Sequence, residues 1–356
     1  MEIKNLPPSQ VCISIIVVNF NGGEDVLKCL RSLETTRKEE LEVIVVDNAS
    51  VDGSPERIEK TFPHVRLIRM TTNWGFGGGN NLGACYAMGH YLAFLNQDAF
   101  VEPNSLKALR QALEANPKAG MATARILLSE HPNTVNTCGN NVHISGLTLC
   151  RGMGQPRQAY DTPAVVGAVS GAAFLMRREL FEQLGGFDER FFMYMEDTDL
   201  SLRARLAGWH ILYVPDAVVY HNYRLRFGAC KTFYQERNRY MMLLKVLQWR
   251  TLLVLLPTLL LAEVVTWGFV LFHEPHRMGN KLAAYAAILQ DRAVLKNARE
   301  FTQLTRKIHD RDLLVTSVHQ LAFEQIGKGI IVNLAHWIFN PIFRACHSLS
   351  LRLVSW

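Results

Sequence analysis

Short apolar runs alternate with amphipathic stretches along the first two thirds of the chain. Uninterrupted runs rich in Val, Ile and Leu are typical of strands buried on both faces, and the stretches between them carry the apolar spacing of helices. This alternation predicts an α/β fold with a mostly parallel central sheet covered by helices. The predicted strands are Val11 to Val18, Leu41 to Val46, Val65 to Met70, Tyr91 to Leu95 and Ile211 to Tyr220, and the predicted helices are Glu24 to Leu33 and Asn80 to Gly89.

The pattern changes near residue 226, which predicts a catalytic α/β domain over residues 1–228 and a helical region over residues 229–356. Residues 251–272 are nearly all apolar, and roughly 20 such residues suffice to cross a bilayer. Pro257 and Glu263 weigh against a span, since a carboxylate at mid-bilayer costs about 3 kcal/mol. We expect an amphipathic helical pair in the membrane interface, beside anionic lipid headgroups, with a true span as the alternative.

The last segment, residues 321–356, alternates apolar side chains with Lys328, Arg344 and Arg352 and carries Trp337 and Trp356, which suit a membrane interface. It could equally be a helix packed on the catalytic domain or on a second subunit. Residues 281–312 have the mixed charge of a polar helix that could mediate self-association into a homo-oligomer.

Composition narrows the class of protein. The 356 residues are 49% hydrophobic and 20% charged, which suits a fully packed core, and the net charge of +6 favours an anionic partner. That partner could be a nucleotide sugar or a phospholipid surface; nucleic acid is disfavoured because the basic residues are dispersed and form no recognised motif. Seven cysteines without a CxxC pair, and a start without an export signal, predict a reducing cytosolic location.

Two acidic groups about a hundred residues apart carry the candidate chemistry. Asn96 and Asp98 follow a predicted strand, where α/β sheets bind ligands, and Glu196 and Asp197 open a predicted helix. An acid in such a crevice can bind a divalent cation together with a nucleotide phosphate. His221, at the end of another strand, is a candidate ligand to that cation or a structural histidine.

Two further features suggest a nucleotide site. Asp47 ends a predicted strand before a turn rich in Asn, Ser and Gly, where it could bind a base or ribose or could cap the next helix. Residues 73–83, NWGFGGGNNLG, place glycines before a predicted helix, where free N–H groups could bind phosphate. A purely structural glycine turn is the alternative, and neither a dinucleotide fingerprint nor a P-loop fits the spacing.

Taken together, these motifs resemble the inverting family 2 glycosyltransferases of the GT-A fold over about residues 11–245. The resemblance rests on several motifs in the family's order, and their wording is similar to the bacterial branch that includes rhamnosyltransferases. The motifs are ISIIVVNFNG, VIVVDNASVDGS, NWGFGGGNNLG, FLNQDAF, VSGAAFLMRRELFEQLGGFDERFFMYMEDTDLSLRARLAGW and YHNYRLR.

The resemblance implies roles for individual residues. Asp197 would be the general base and Glu196 would orient it, while Asp98, with His221, would bind Mg²⁺ or Mn²⁺. The metal motif departs from the family's DxD pattern, since Asn96 and Gln97 replace its first two positions. Asp188 and Glu189 would bind the acceptor. The implied donor-binding set is Val18, Asn19, Asn21, Asp47, Asn73, Gly75, Phe76, Asn80, Asn81, Asn96 and Gln97.

The resemblance therefore implies a membrane-associated enzyme on the cytoplasmic face of the plasma membrane. It would move a sugar from a nucleoside diphosphate sugar, dTDP-L-rhamnose first and a UDP-sugar next, to a hydroxyl of a lipid-linked or polysaccharide acceptor. The alternative is a family member that binds nucleotide sugars or partners without turnover.

Overall fold

A computed structural model describes residues 12–36, 41–223, 230–273, 275–325 and 329–356. The chain forms two compact units. The sheet unit comprises residues up to 139, 150–201 and 209–224, and the helical unit comprises residues 140–149, 202–208 and 225–356. The predicted domain boundary at residues 228 and 229 and the predicted strand start at Val11 lie outside the described residues, so the boundary stays a prediction.

The sheet unit is built on one mixed sheet with the order β10-β12-β6-β11-β4-β1-β2-β3, in which β5 also pairs with β12 and β7 with β6. A separate pair, β8 and β9, belongs mainly to the helical unit. The strands are β1 (Ile13–Asn19), β2 (Leu41–Asp47), β3 (Arg66–Arg69), β4 (Tyr91–Asn96), β5 (Ala99–Val101), β6 (Ala119–Leu128), β7 (Val135–Thr137), β8 (Asn140–Val142), β9 (Thr148–Cys150), β10 (Ala164–Val165), β11 (Ala173–Arg177) and β12 (His210–His221).

Strands β3, β2, β1 and β4 run parallel, as does the pair β6 and β12, while β11 lies antiparallel between β4 and β6. Every residue of β1 is buried, which explains its unbroken apolar sequence. The carboxyl ends of β1, β2 and β4 therefore meet at one edge, where Asn19, Asp47 and Asn96 stand side by side. The predicted α/β architecture is confirmed, with β11 as an antiparallel member.

Helices cover both faces of this sheet. The buried side chains of α1 recur every three or four residues, so they form one stripe that packs into the core. They include Val26, Leu27, Leu30 and Leu33. Each such fully buried side chain contributes about 1.5–3 kcal/mol. The helices of the sheet unit are α1 (Gly23–Glu34), α2 (Ser54–Thr61), α3 (Gly75–Tyr86), α4 (Ser105–Ala115) and α5 (Arg178–Gln183); α6 (Glu196–Leu206) begins in this unit.

Helix α3 differs from its prediction, because it begins at Gly75 rather than Asn80 and ends at Tyr86 rather than Gly89. Glycine is a poor helix former, so the sequence favoured a turn there. The helix packs too closely on the sheet for larger residues: a Cβ on Gly79 would lie 2.9 Å from the Val18 side chain, and one on Gly83 would lie 2.5 Å from Ile16. Tertiary packing therefore outweighs the low helix propensity.

The helical unit contains six α-helices within its described residues, together with the β8–β9 hairpin. A small apolar core of Ile144, Ala262, Leu321, Phe323 and Phe343 joins the hairpin to the helices. The helices are α7 (Lys231–Val246), α8 (Trp249–His273), α9 (Met278–Gln290), α10 (Arg292–Leu304), α11 (Asp310–Val315) and α12 (Ile330–Leu353).

Two predictions for this unit are corrected. Residues 251–272 form part of one continuous helix, α8, which runs through Pro257 instead of breaking into a helical pair. Residues 281–312 form parts of three helices, not one polar helix, because short turns near Asp291 and Lys307 interrupt them. Among the described residues, only Trp249–Phe272 is long and apolar enough to cross a membrane, a property that core helices of soluble proteins share.

Four charged side chains meet inside the helical unit, and we call them the ion-pair cluster: Glu236, Arg239, Glu263 and Lys281. Arg239 Nη2 lies 2.8 Å from Glu236 and 2.6 Å from Glu263, and Lys281 Nζ lies 3.2 Å and 3.1 Å from the same two carboxylates. The two positive and two negative charges balance. Glu263 of α8 is therefore neutralised within the protein.

Candidate active site

Glu196 and Asp197 begin helix α6 at the edge of the sheet. Asp197 Oδ2 accepts a hydrogen bond from the Gly171 N–H at 2.7 Å, and its Oδ1 accepts one from the Thr198 N–H at 2.7 Å. The Thr198 hydroxyl donates to Oδ1 as well, at 3.3 Å. These donors orient the Asp197 carboxylate and favour its ionised form.

The two acids have different surroundings, although both are buried. Burial, and then the charge of Asp197, raises the pKa of the Glu196 carboxyl to about 8. Glu196 is 8% exposed, and its Oε2 has no hydrogen-bond partner among the described residues. Burial also raises the pKa of Asp197, but the Gly171 and Thr198 donors oppose that increase. The hydrogen-bond donors therefore favour the negative charge on Asp197, and burial favours the proton on Glu196.

Asp98 and His221 meet although they lie far apart in sequence. Strand β12 pairs antiparallel with β5, placing His221 opposite Ala99, and His221 Nε2 lies 3.3 Å from Asp98 Oδ1. The Asn136 Oδ1 lies 2.9 Å from His221 Nδ1. An amide oxygen can only accept, so Nδ1 carries a proton, and Nε2 is the nitrogen that faces Asp98.

This donor set suits a divalent cation. A neutral imidazole whose other nitrogen donates to a second group is the usual state of a metal-binding histidine, and a carboxylate oxygen beside it completes two positions. The described residues hold no group of three or more His, Cys, Asp or Glu side chains placed to bind a metal. Phosphate and water oxygens would have to supply the remaining positions, as is usual for Mg²⁺ with nucleotides.

The acid pair and the Asp98–His221 pair lie at the same sheet edge. The Asn96 N–H donates to the Ala172 carbonyl at 3.0 Å, and the next residue back, Gly171, donates to Asp197. Asn96 also places its side-chain nitrogen 3.4 Å from His221 Nε2. A short path through the carboxyl end of β4 thus connects the two pairs.

Asn19 and Asp47, at the ends of β1 and β2, bind each other. Asn19 Nδ2 lies 2.8 Å from Asp47 Oδ1, 3.1 Å from the Ser50 hydroxyl and 2.9 Å from the Ser54 hydroxyl. Both side chains are buried, at 0% and 3% exposure. Their observed contacts organise the turn after β2, and their binding to a nucleoside stays a prediction.

The glycine-rich start of α3 uses its backbone N–H groups within the protein. The Trp74 N–H donates to Asn48 Oδ1 at 3.2 Å and the Gly75 N–H to Asn73 Oδ1 at 2.8 Å. The Phe76 N–H donates to the Phe192 carbonyl at 2.8 Å. These three N–H groups therefore have protein acceptors, and phosphate binding by this motif stays a prediction.

The other predicted donor-binding residues lie around the same edge. Asn80 is fully buried and donates to the Phe76 carbonyl at 2.9 Å, while its Oδ1 finds no partner in the described part of the chain. Gln97 bridges the backbone of Phe20, accepting from its N–H at 2.7 Å. Asn21 accepts from the Val51 N–H at 2.9 Å, and Val18 packs beneath Gly79. Their ligand contacts stay predictions.

The predicted acceptor-binding acids have protein partners as well. Asp188 accepts from the Arg190 Nε at 2.7 Å, and Glu189 accepts from the Asn81 side chain at 2.9 Å. Asn81 contacts this segment rather than the strand ends: its amide also binds the Phe187 backbone. The structure thus places Asn81 beside the residues before Asp197.

Sequence reasoning missed three residues of this site. Asn136 fixes the tautomer of His221, Asn48 holds the start of α3, and Gly171 donates to Asp197. Asn48 lies in the quoted motif VIVVDNASVDGS and could have been found there. Gly171, which acts through its backbone alone, lies in the quoted motif that begins VSGAAFLM, whereas Asn136 acts through a contact between distant segments that no local pattern marks.

Comparisons with known proteins identify the family of the chain. Residues 14–185 match the profile of glycosyl transferase family 2. The chain is 31% identical over 234 residues to N-acetylglucosaminyl-diphospho-decaprenol L-rhamnosyltransferase of Mycobacterium tuberculosis, covering 59% of this chain and 76% of that protein. It is 26% identical over 235 residues to rhamnosyltransferase WbbL of Escherichia coli, covering 61% of this chain and 87% of that protein.

Solved structures show the same fold at low identity. S. aureus TarS 1–349 in complex with UDP-GlcNAc aligns with a TM-score of 0.55 at 15% identity, over 96% of this chain and 89% of that one. GalNAc-T7 with UDP, GalNAc and Mn²⁺ aligns with a TM-score of 0.54 at 19% identity, over 66% of this chain and 48% of that one.

The fold and the polar sheet edge define a GT-A-type transferase. The chain belongs to glycosyl transferase family 2, with rhamnosyltransferases among its similar relatives. The family expected from the sequence motifs is thereby confirmed.

Proposed function

We propose that this protein transfers a sugar from a nucleoside diphosphate sugar to a hydroxyl of a lipid-linked cell-surface glycan, inverting the anomeric centre. The donor is dTDP-L-rhamnose, with a UDP-sugar as the next choice. Two relatives named as rhamnosyltransferases support the sugar, and the diphospho-decaprenol in the name of one supports a lipid-linked acceptor. The observation that carries the proposal is the convergence of Asp197 and the Asp98–His221 pair at one sheet edge.

Asp197 acts as the general base in this proposal. Its carboxylate is held by the Gly171 and Thr198 N–H groups, while the neighbouring Glu196 keeps a proton. Asp197 removes the proton of the acceptor hydroxyl as that oxygen attacks the anomeric carbon and the bond to the diphosphate breaks. The products are the glycoside, the nucleoside diphosphate and a protonated Asp197, so a single base suffices for inversion.

Asp98 and His221 would hold a divalent cation, Mg²⁺ or Mn²⁺, on the leaving-group side. The cation would neutralise the negative charge that develops on the departing diphosphate. Asn136 keeps His221 in the tautomer that offers Nε2 for binding, and Asn96 lies beside that nitrogen. Asp98 is partly exposed, with 31% of its side-chain surface accessible, which leaves room for phosphate oxygens.

The helical unit supports association with the cytoplasmic face of the plasma membrane. Helix α8 exposes Leu253, Leu260 and Val264 at 72%, 59% and 60%, and α12 exposes Leu334 and Trp337 at 57% and 78%. Exposed apolar side chains in such number mark an interaction surface. Because Glu263 is neutralised by the ion-pair cluster, α8 can lie with its apolar face in the interface without exposing that charge to lipid.

A donor screen tests the proposal. The purified full chain is incubated with dTDP-L-rhamnose or UDP-sugars, Mn²⁺ or Mg²⁺ and a lipid-linked acceptor, and the released nucleoside diphosphate is measured. We expect release with one donor, dependent on acceptor and cation, and its loss in Asp197→Asn. The exposed Asp216→Asn serves as the matched control and should keep full activity. Binding of a donor without release under any condition would support the non-catalytic alternative instead.

A further inference from the structure

The segment just before Asp197 has a strained backbone. Phe192, Tyr194 and Met195 adopt φ angles of 60°, 65° and 72°, a left-handed region that residues with a Cβ rarely occupy. Such a conformation persists only where surrounding contacts enforce it. The contacts that enforce this conformation therefore determine where the Glu196–Asp197 pair is placed.

Asn81 of α3 provides one set of these contacts. Its Oδ1 accepts from the Phe187 N–H at 2.9 Å, and its Nδ2 donates to the Phe187 carbonyl at 2.9 Å and to Glu189 Oε1 at 2.9 Å. The Asn81 side-chain amide thus forms hydrogen bonds with both the N–H and the carbonyl of Phe187, as a residue of a neighbouring strand would. The Gly186 backbone lies so close that an added Cβ would stand 2.6 Å from Asn81 Oδ1.

The first turn of α3 provides the second set. The Phe76 N–H donates to the Phe192 carbonyl at 2.8 Å, at the first of the strained residues. A Cβ on Gly75 would overlap that carbonyl, and a Cβ on Gly77 would stand 3.1 Å from the Phe187 Cβ. These glycines allow the backbone of α3 to touch the segment directly.

Phe187 also anchors the segment to the sheet. Its ring lies 5.7 Å from Phe76, 5.2 Å from Phe94 and 5.7 Å from Phe181, with edge-to-face geometry in each pair. Phe94 is a residue of β4, the strand that ends at Asn96. The segment is therefore fixed at Phe187 by aromatic packing and by Asn81, and at Phe192 by the Phe76 N–H.

From these contacts we infer that the start of α3 is a docking platform for residues 187–195 and that Asn81 is a positioning residue for Asp197. The inference rests on the proposed function and gives the glycine-rich motif a role other than phosphate binding. The Phe76 N–H binds the Phe192 carbonyl, and Gly75 and Gly77 let the first turn of α3 approach Phe192 and Phe187 closely. Asn81 acts through the backbone and does not touch the substrate.

The test is Asn81→Asp, which keeps the acceptor for the Phe187 N–H, removes both donated hydrogen bonds and places a carboxylate beside Glu189. A displaced base lowers turnover without weakening donor binding, and a displacement of about 1 Å can cost about 10²-fold. We expect kcat to fall at least tenfold while the Kd of the donor nucleotide, measured by calorimetry, stays within threefold. Asn116→Asp, at the exposed end of α4, is the matched control and should change neither value.

Two further variants make the test independent of the stability of Asn81→Asp. Gly77→Ala should push Phe187 outward and lower kcat, whereas Gly279→Ala, where a Cβ meets nothing within 4 Å among the described atoms, should not. In Asn81→Asp/Glu189→Gln, the new amide can donate to the new carboxylate, so part of kcat should return. A rise in donor Kd with unchanged kcat in Asn81→Asp would overturn the inference in favour of donor binding.

Hydrogen exchange separates this inference from the proposed function. Amides of residues 187–195 should exchange faster in Asn81→Asp than in the wild type, while those of β4 should keep their protection. That result supports the docking platform even if no donor is turned over. Unchanged exchange over residues 187–195 would contradict the inference whether or not the protein transfers sugar.

Discussion

The molecule contains two clusters of buried charge that are built in opposite ways. In the sheet unit, Glu196 and Asp197 are adjacent acids, and a Glu196 oxygen finds no partner among the described residues. In the helical unit, the ion-pair cluster balances two carboxylates with Arg239 and Lys281. The adjacent acids Glu196 and Asp197 destabilise the folded protein and shift the pKa of Glu196. A perturbed pKa of this kind is typical of catalytic sites. The balanced cluster instead places opposite charges beside one another, which suits a structural role.

The largest expected effect comes from removing the reactive acid. Asp197→Asn should lower the transfer rate by about 10²–10⁴-fold, the usual contribution of a general base. Because it removes an uncompensated charge, it should leave the unfolding temperature unchanged or raise it. Initial rates and thermal unfolding of the same preparation measure both effects. If the rate falls only in proportion to the amount of folded protein, the proposed role of Asp197 as the base is contradicted.

A substitution in the ion-pair cluster should lower the stability of the protein and leave its activity unchanged. Lys281→Met leaves two carboxylates with a single arginine, and breaking a buried ion pair costs about 3–5 kcal/mol. Denaturant unfolding should show that loss, while the activity per folded molecule stays near that of the wild type. The double variant Lys281→Met/Glu236→Gln restores charge balance and should recover part of the stability. Equal instability of the single and double variants would contradict this account of the cluster.

A smaller effect is expected at the cation site. Asn136→Ala removes the acceptor that fixes the His221 tautomer, and losing such a partner typically costs about 10–100-fold in metal affinity. The concentration of Mn²⁺ or Mg²⁺ that gives half-maximal activity should rise accordingly, with little change in rate at saturating metal. An unchanged metal dependence would mean that His221 does not bind the cation.

The smallest effect concerns pH. Burial, and then the charge of Asp197, raises the pKa of the Glu196 carboxyl in the folded protein from its ordinary value of 4.5 to about 8. The unfolded chain therefore loses this proton first, so stability falls as pH rises from about 4.5 to about 8 and levels off above it. Glu196→Gln should remove that slope and any loss of activity that accompanies ionisation above pH 8. Identical pH profiles of the two proteins would show that Glu196 carries no such proton.

The sequence predicted five of the ten described strands of the main sheet, because apolar runs such as Ile15 to Val18 identify buried strands without any knowledge of the fold. It misplaced the start of α3, since the glycines that let the helix pack on Val18 and Ile16 also resemble a turn. Local pattern and tertiary packing point to different structures there, and packing determines the result.

The candidate site was predicted in part for a related reason. Asp98 and Asp197 each stand at the end of an element, where local pattern is informative, and the family motifs connected them with His221. The pairing of β12 with β5, which brings His221 to Asp98, is a long-range contact that no local pattern contains. The same holds for Asn136 and for the partners of Glu263, which come from α7 and α9.

The most direct measurement is a double-mutant cycle of the transfer rate with Asp197→Asn and Asp98→Asn. Groups that act as a unit in one reaction give losses that are far from additive. If both acids serve one sugar transfer at the same sheet edge, the double variant should be scarcely slower than the slower single variant. Rate losses that multiply, or an Asp98→Asn variant with the rate and metal dependence of the wild type, would contradict the account.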